Sequence, residues 1–176
     1  MAEPVRWLDD HEQDLWRSIL QANRKINRVL DETLLNASGL STAEYGVLVV
    51  LSEAPNHCLR LCALCDELVW DRSRTSHQIT RMEKRGLLRK ERFSGDGRGV
   101  SVVLTDDGMQ RLQKAVPDHV ESVRRLIFDH LHEDDKPSIQ RFMNAVLAVD
   151  NIPGYEAADG CPPSAPSAPS APRQDN

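Results

Sequence analysis

The sequence contains no apolar run of the roughly 18 residues that a membrane-spanning helix needs. Residues 1–7 also lack the apolar core of a secretory signal peptide. Cysteine is scarce, with 4 among 176 residues, which is too few for a disulfide-stabilised scaffold. We therefore expect a globular protein of the cytoplasm that has no membrane partner.

The motifs of common enzyme classes are absent as well. There is no Gly-x-Ser-x-Gly nucleophile motif, no phosphate-binding loop, no dinucleotide-binding glycine pattern and no pair of metal-binding carboxylates. The scattered histidines have no nucleophile at a diagnostic spacing. These absences predict that the protein is not an enzyme and requires no cofactor.

The spacing of apolar residues predicts a mostly α domain with a small β component. Apolar side chains recur every three or four residues over 9–36, which is typical of one long amphipathic helix, and Gly39 is its stop signal. The other helices expected in the first half are one from the capping box at Ser41–Glu44, a short one over 61–69, and one from an N-cap at Ser73 to Gly86.

The period of the pattern changes after the fourth helix. Leu87–Phe93 and Val100–Leu104 are short and contain β-branched or aromatic residues, and they flank the glycine-rich stretch 94–99. This arrangement predicts a β-hairpin with a mobile, polar tip.

Two more helices and a tail are expected after the hairpin. Thr105 can cap a long helix whose apolar positions extend to Leu131, and Pro137 is a favourable first-turn residue for the last helix. Residues 153–176 hold six prolines and a Pro-Ser-Ala repeat, so we expect a disordered tail there. The tail is either a solvated extension or a ligand for a proline-recognising partner.

The charge is distributed unevenly along the chain. The net charge is −5, yet residues 72–98 carry nine basic and three acidic side chains, which leaves −11 on the rest. A basic segment on an acidic body favours local attraction of a polyanion such as nucleic acid. The alternative is an ordinary solvated charged face.

Three helices followed by a glycine-tipped hairpin indicate a winged helix-turn-helix, whose recognition helix enters the DNA major groove. In the fourth helix Ile79 and Met82 can pack inward, so the polar residues around them are expected to face outward. The candidate DNA contacts of this helix are Ser73, Arg74, Thr75, Ser76, His77, Gln78, Thr80, Arg81 and Arg85. Those of the wing are Arg89, Lys90, Arg92, Asp96 and Arg98.

Two of these candidates have a specific expected role. Gln78 can read adenine through a bidentate contact. Arg98 lies at the tip of the wing, where a long cation can enter the narrow minor groove, and Asp96 can hold its guanidinium in place.

Residues 59–64, 73–87, 96–99 and 104–108 together resemble the multiple-antibiotic-resistance-regulator (MarR) family, over roughly 10–150 of the chain. The end of the fourth helix, Arg-Met-Glu-Lys-Arg-Gly-Leu, and the Asp-Gly-Arg-Gly wing are specific when they occur together. The resemblance implies a homodimeric regulator that binds double-stranded, pseudo-palindromic DNA, with the first, fifth and sixth helices interleaved in the dimer.

The resemblance also assigns roles to individual residues. It matches Arg98 to the minor-groove arginine of the family and Asp96 to its orienting partner. It implies a pocket between the dimer helices and each DNA-binding lobe for a small aromatic, anionic effector. The candidate pocket residues are Trp16, Arg17, Tyr45 and Trp70.

The long helices at both ends favour a dimer independently of the resemblance. Helices of about 25 residues span roughly 35–40 Å, and a small lobe cannot cover both of their apolar stripes, whereas a partner chain can. We therefore divide the chain into a regulator domain over 1–152 and the tail. The domain has a DNA-binding lobe over about 41–105 and dimerisation helices over about 9–37 and 106–150.

His57, Cys58, Cys62 and Cys65 fall within nine residues, and three interpretations of this cluster stay open. The thiols pack as small apolar groups, or Cys62 near a helix start reacts with oxidants, or the cluster binds zinc. Zinc-responsive members of the resembled family use ligands between the dimer helices and the lobe. The candidates for such a site are His119, His130, His132 and Glu133.

We therefore predict a sequence-specific DNA-binding regulator, most simply a repressor, whose affinity changes when it senses a small molecule, an oxidant or a metal. The alternative is a protein-interaction module that uses the winged fold and the proline-rich tail without binding DNA. The positive charge over 72–98 favours the DNA-binding function.

Overall fold

The computed structural model describes residues 4–92, 99–150 and 152–153. The predicted architecture is confirmed there: the chain is mostly helical, and three short strands form one antiparallel sheet. In chain order the elements are α1 (Asp10–Ser38), α2 (Thr42–Glu53), β1 (Cys58–Arg60), α3 (Leu61–Leu68), α4 (Arg72–Lys84), β2 (Leu88–Arg92), β3 (Val100–Leu104), α5 (Asp106–Leu126) and α6 (Lys136–Leu147).

Side-chain caps define the first two helices. Asp9 and Glu12 form a reciprocal capping box at the start of α1, with N–H···O distances of 2.8 and 2.9 Å. The predicted box of Ser41 and Glu44 is confirmed at the start of α2. Gly39 ends α1 as predicted, with a φ of 69°, because a residue without a Cβ adopts this left-handed conformation at little cost.

The start of α4 differs from the prediction. Its N-cap is Asp71, whose carboxylate accepts from the amide of Arg74 at 2.8 Å, and Ser73 is the second residue of the helix. Aspartate and serine are comparable caps, and Asp71 lies two residues before the predicted Ser73. The earlier start brings Arg72 into the first turn of α4. The predicted end is confirmed, because Gly86 follows the helix with a φ of 75°.

The predicted fifth helix ends earlier than its apolar pattern indicates. The pattern extends to Leu131, but α5 ends at Leu126, and Ile127 leaves helical geometry with φ −126° and ψ −64°. Two 3₁₀ turns, at 128–130 and 133–135, lead into α6, which has Pro137 in its first turn as predicted. The spacing could not reveal this break, because Val123, Ile127 and Leu131 continue the helical step of four through it.

The strands pair in the order β1-β3-β2, and both pairings are antiparallel. Cys58 lies opposite Val103 in one pairing, and Leu88 lies opposite Leu104 in the other. The predicted hairpin is therefore confirmed, although its first strand begins at Leu88, one residue later than predicted.

Some predicted features lie outside the described residues. The tip of the wing, residues 93–98, carries Asp96 and Arg98. Residues 154–176 make up nearly all of the predicted tail. The predictions for these segments stay predictions.

The hydrophobic core lies mainly within residues 40–104, which we call the lobe, and it is completed by Leu34 of α1 and by Leu112 and Ala115 of α5. In the single chain that the structure describes, α1 contributes one buried residue, Leu34, and α6 contributes none. The fully buried side chains of the lobe include Leu40, Leu48, Leu51, Leu64, Ile79, Met82, Leu87 and Val102. The first half of α1 and the whole of α6 therefore have no core of their own.

α1 and α5 pack along each other beside the lobe. The hydroxyls of Thr33 and Ser122 join them at 3.1 Å. Among the described helices, none alone is long and apolar enough to cross a membrane. α1 and α2 meet this criterion of length and hydropathy only as a pair, and the two helices are bent by 73° relative to each other.

The start of α5 lies directly against the turn that follows α4. The Thr105 hydroxyl donates to the Gly86 carbonyl at 2.7 Å, and the Thr105 amide donates to the Leu87 carbonyl at 3.3 Å. A Cβ built on Gly108 would lie 2.0 Å from the Leu87 carbonyl oxygen. Only a residue without a side chain permits this approach of helix to backbone.

We expect Gly108→Ala to lower the free energy of unfolding by about 1–3 kcal/mol, because the new methyl group must push α5 away from Leu87. The matched control is Gly46→Ala inside α2, where a Cβ would meet its nearest neighbour at 3.8 Å. That variant should be neutral or stabilised by up to about 1 kcal/mol through helix propensity. Urea unfolding of both variants checks this, and equal effects would contradict the role of the close contact.

Candidate nucleic-acid interface

The recognition helix α4 buries one stripe of side chains, formed by Thr75, Gln78, Ile79 and Met82. The predicted inward packing of Ile79 and Met82 is confirmed. The prediction that Thr75 and Gln78 face outward is wrong, because they precede Ile79 and Met82 by four residues and share their helix face. Thr75 is fully buried and its hydroxyl donates to the Asp71 carbonyl at 3.0 Å, while Gln78 is 9% exposed.

The opposite face of α4 carries what we call the exposed stripe: the exposed residues Ser73, His77 and Lys84 together with the half-buried Thr80. These residues follow each other at steps of four, three and four, so they lie in one line along the helix. Ser76 and Arg81 flank the line. Hydroxyls, an imidazole and two cations on one convex helix surface are suited to phosphate oxygens and base edges.

Two exposed cations of α4, Arg72 and Lys84, are absent from the candidates chosen from sequence. Arg72 was missed because the helix was predicted to begin after it. Lys84 lies seven residues after His77, so counting along the exposed stripe would have found it. Together they extend the positive charge of α4 over its whole length.

Arg85 was a candidate DNA contact, but its guanidinium faces the α1–α2 turn. Its Nη1 lies 2.6 Å from both carboxylate oxygens of Glu44, and its Nη2 donates to the Gly39 carbonyl at 2.7 Å. The Glu44 side chain is only 4% exposed. A buried carboxylate needs this cation, so Arg85 is held by the fold and is turned away from the exposed stripe.

The base of the wing is joined to α4 through Lys90. Its Nζ lies 2.8 Å from a Glu83 carboxylate oxygen and 3.3 Å from the Thr80 hydroxyl, and its amide donates to Glu83 at 3.0 Å. These contacts hold the pKa of Glu83 below its usual value. Arg89 pairs with Glu91 at 2.7 Å. Of the described wing cations, Lys90 therefore has a structural partner on the recognition helix.

Arg92 is exposed at the end of β2, next to the tip of the wing. Its position on the hairpin leads toward the segment with Arg98, which lies outside the described residues. The expected contact of the wing with the minor groove stays a prediction.

Arg74 lies at the edge of α4, where its guanidinium carbon is 4.3 Å from the centre of the Trp70 ring. This stacking is a cation–π contact. Both residues line a cavity of about 490 Å³ between α1, the start of α2 and the helix-turn-helix. The other lining residues are Asn27, Arg28, Asp31, Ser41, Thr42 and Ala43. This space is called the Trp70 cavity below.

The four predicted pocket residues do not come together in the described chain. Trp16 and Arg17 are exposed near the start of α1, and Arg17 pairs with Asp14 at 2.9 Å. Trp16 precedes Asp31 of the Trp70 cavity by 15 residues, which is roughly 22 Å along a helix. Only Trp70 of the four lines that cavity.

Tyr45, the remaining pocket candidate, packs against His119 of α5. The ring centres are 4.4 Å apart, and burial raises the pKa of Tyr45 and lowers the pKa of His119. The pair is a contact between the lobe and a long helix. It keeps the imidazole neutral over a wider pH range.

The cysteine cluster is spread over two elements. Cys58 begins β1, whereas Cys62 and Cys65 lie in α3, and all three are free and half-buried thiols. His57 Nδ1 donates to the Ser52 carbonyl at 3.0 Å.

Within the described ranges, no three or more His, Cys, Asp or Glu side chains are grouped to hold a metal ion. This holds for the cysteine cluster and for the second set of zinc candidates: His119, His130, His132 and Glu133.

Known proteins share this geometry. Residues 30–115 match the family model of transcriptional regulators SarA/Rot. Sco3205 of Streptomyces coelicolor is a MarR family regulator that was solved in complex with DNA. It is 37% identical to this chain, the match covers 80% of this chain and 92% of the Sco3205 chain, and the TM-score is 0.78. AbsC of the same organism, also a MarR family regulator, is 38% identical, with coverages of 81% and 96% and a TM-score of 0.78. The regulator PecS of Dickeya dadantii is 28% identical over 69% of this chain and 72% of its own.

A winged helix-turn-helix with a basic, outward-facing recognition helix defines a DNA-binding transcription regulator. The chain belongs to the MarR family of such regulators, as its sequence motifs indicated. Its relatives are transcription regulators rather than enzymes.

The two stripes of α4 make a direct prediction. We expect Gln78→Leu to leave the base preference unchanged and to maintain or raise stability, because the buried Nε2 of Gln78 has no hydrogen-bond partner among the described residues. Lys84→Ala should weaken binding to every duplex and reduce the salt slope by about 1, without a change in stability. Binding to duplexes with single base-pair changes, together with thermal unfolding, measures both effects.

The contrary outcome is specific. If Gln78→Leu relaxes the preference at one base pair while Lys84→Ala has no effect, then the stripe that faces the lobe core is the one that reads DNA.

Proposed function

We propose that the protein is a cytoplasmic, homodimeric repressor that binds a pseudo-palindromic operator. The exposed stripe of α4 enters the major groove, and the wing follows the backbone into the adjacent minor groove. The alignment of Ser73, His77, Thr80 and Lys84 on the exposed face of α4 carries this proposal. Support also comes from the similarity to Sco3205, which was solved with DNA.

Exposed apolar surface at both ends of the chain supports the dimer. Trp7 is 85% exposed, and Leu15, Trp16 and Ile19 follow on α1. On α6 the exposed apolar residues are Ile139, Phe142, Met143, Val146 and Leu147. Contiguous apolar surface of this extent marks an interface, and a second copy offers matching faces through a two-fold axis.

The length of α6 supports the same conclusion. It has 12 residues and no buried side chain within one protomer. An isolated helix of this length is marginal in water, so tertiary packing must stabilise it. In our proposal that packing comes from the α1 and α6 helices of the partner chain.

We expect Phe142→Asp to convert the dimer into monomers, because the new carboxylate would be buried in the apolar interface. The control is Val69→Asp, since Val69 is 79% exposed and lies on neither dimer helix. Sedimentation should show a dimer for the wild type and for the control, and monomers for Phe142→Asp.

The same proteins are then titrated with DNA from upstream of the gene, against a scrambled duplex, over a range of salt concentrations. The wild type should bind specifically with a steep salt slope, and Phe142→Asp should lose most of this affinity. A monomeric wild type with full affinity would refute the proposed dimeric mode.

We also propose that the Trp70 cavity takes a small aromatic anion as effector. Trp70 offers an aromatic face and Arg74 a cation, and Arg28, which pairs with Glu32 at 3.0 Å, adds a second positive charge. An anion that draws the Arg74 guanidinium off Trp70 changes the flank of the recognition helix, which couples binding in the cavity to binding of DNA.

Benzoate is a suitable first probe of this cavity. It should quench the fluorescence of the wild type and weaken operator binding, and both responses should disappear in Trp70→Phe. Trp16→Phe is the matched control, because Trp16 lies on α1 outside the Trp70 cavity. Loss of the response in Trp16→Phe alone would place the effector at the N-terminal part of α1 instead.

A further inference from the structure

The C-terminal end of α4 is tied to the rest of the protomer by a strong side-chain contact. Arg85, the residue that caps this end, contacts both carboxylate oxygens of Glu44 and the carbonyl of Gly39. Gly39 is where the long helix α1 ends. The contact therefore joins the recognition helix to the end of a proposed dimer helix.

Glu44 is itself held in place before Arg85 reaches it. Its carboxylate accepts from the amide of Ser41 at 2.9 Å and from the Ser41 hydroxyl at 3.1 Å. These bonds belong to the capping box of α2. Arg85 thus meets a carboxylate whose orientation is set by the turn between α1 and α2.

A second attachment lies immediately after Arg85. The carbonyls of Gly86 and Leu87 accept from Thr105, the N-cap of α5. The end of α4 is therefore bonded on one side to the end of α1 and on the other to the start of α5. At the opposite end of α4 the described hydrogen bonds and the ring contact are local, since Asp71 caps its own helix and Arg74 stacks on Trp70 of the adjoining turn.

The chemistry of arginine suits this position. A planar guanidinium can donate to a carboxylate and a carbonyl at the same time, so it fixes an angle as well as a distance. A lysine ammonium keeps the charge but is a compact donor on a flexible stem. The simultaneous contact of Arg85 with the Glu44 carboxylate and the Gly39 carbonyl therefore depends on the forked guanidinium.

We propose that Arg85, acting through Glu44, is a positioning residue that sets the angle of the recognition helix against the dimer helices. It thereby sets the spacing of DNA half-sites that the dimer accepts. This inference rests on the proposed function, because spacing has meaning only for a dimer on two half-sites. A change in the angle of α4 moves the two recognition helices in opposite directions about the two-fold axis.

A purely structural role is the competing explanation, since a buried ion pair also affects folding. The variants Arg85→Lys and Glu44→Gln are chosen because each keeps a polar group in place. Arg85→Ala would leave Glu44 unpaired and is avoided. Ala115→Gly in α5 is the stability control, because it removes a buried methyl group and leaves the Arg85–Glu44 contact intact.

The experiment uses the full chain and the duplex that the wild type selects from a random library. Three duplexes carry the two half-sites at the selected spacing, one base pair closer and one base pair farther apart. A fourth duplex carries a single half-site. Affinity for all four and the melting temperature are measured for each variant.

The wild type should prefer the selected spacing by at least about tenfold. Arg85→Lys and Glu44→Gln should bind the three spacings within about threefold of one another and should keep the affinity for the single half-site. Ala115→Gly should melt at a lower temperature and keep the full preference for spacing. This pattern would assign the spacing preference to the Arg85–Glu44 contact.

Two results would overturn the inference alone: an undiminished spacing preference in both variants, or an equal loss of affinity for every duplex, including the half-site. The second result would make Arg85 a DNA contact. A wild type that binds all three spacings equally would refute the proposed two-half-site mode, and the inference with it.

Discussion

Burial of one stripe of α4 against the lobe core is the constraint on which the proposed DNA-binding surface depends. Ile79 and Met82 pack into the core, and they turn Thr75 and Gln78 inward with them. The opposite stripe is thereby exposed, and its composition is polar and basic. The residues available to DNA are thus selected by packing inside the lobe, while their chemistry decides what the surface attracts.

The distribution of the core distinguishes the lobe, which has its own interior, from the long helices, which do not. The lobe encloses nearly all of the buried apolar residues, whereas the first half of α1 and all of α6 leave theirs exposed. The lobe can therefore fold around its own interior, but the long helices need additional packing to be stable. α4 is bonded at its C-terminal end to both of the long elements that leave the lobe, through Arg85 and Thr105.

Features that depend on local hydrogen bonding could be predicted from the sequence. The capping box at Ser41, the left-handed Gly39 and the hairpin from 88 to 104 follow from residue chemistry within a few positions. Features that depend on packing could not. The burial of Gln78 is set by its neighbours in space, and Arg85 and Glu44 are 41 residues apart in the chain. The break after Leu126 was hidden because the apolar spacing continues through it.

Asp71 has a consequence for how α4 approaches the DNA backbone. The free amides at the start of a helix, together with its dipole, commonly form a site for phosphate. Here the Asp71 carboxylate occupies the amide of Arg74 and places a negative charge at that end. A phosphate is therefore repelled from the end of the helix axis and attracted to the cations beside it, Arg72 and Arg74. The recognition helix is thus suited to lie along the groove on its side, and poorly suited to meet the backbone end-on.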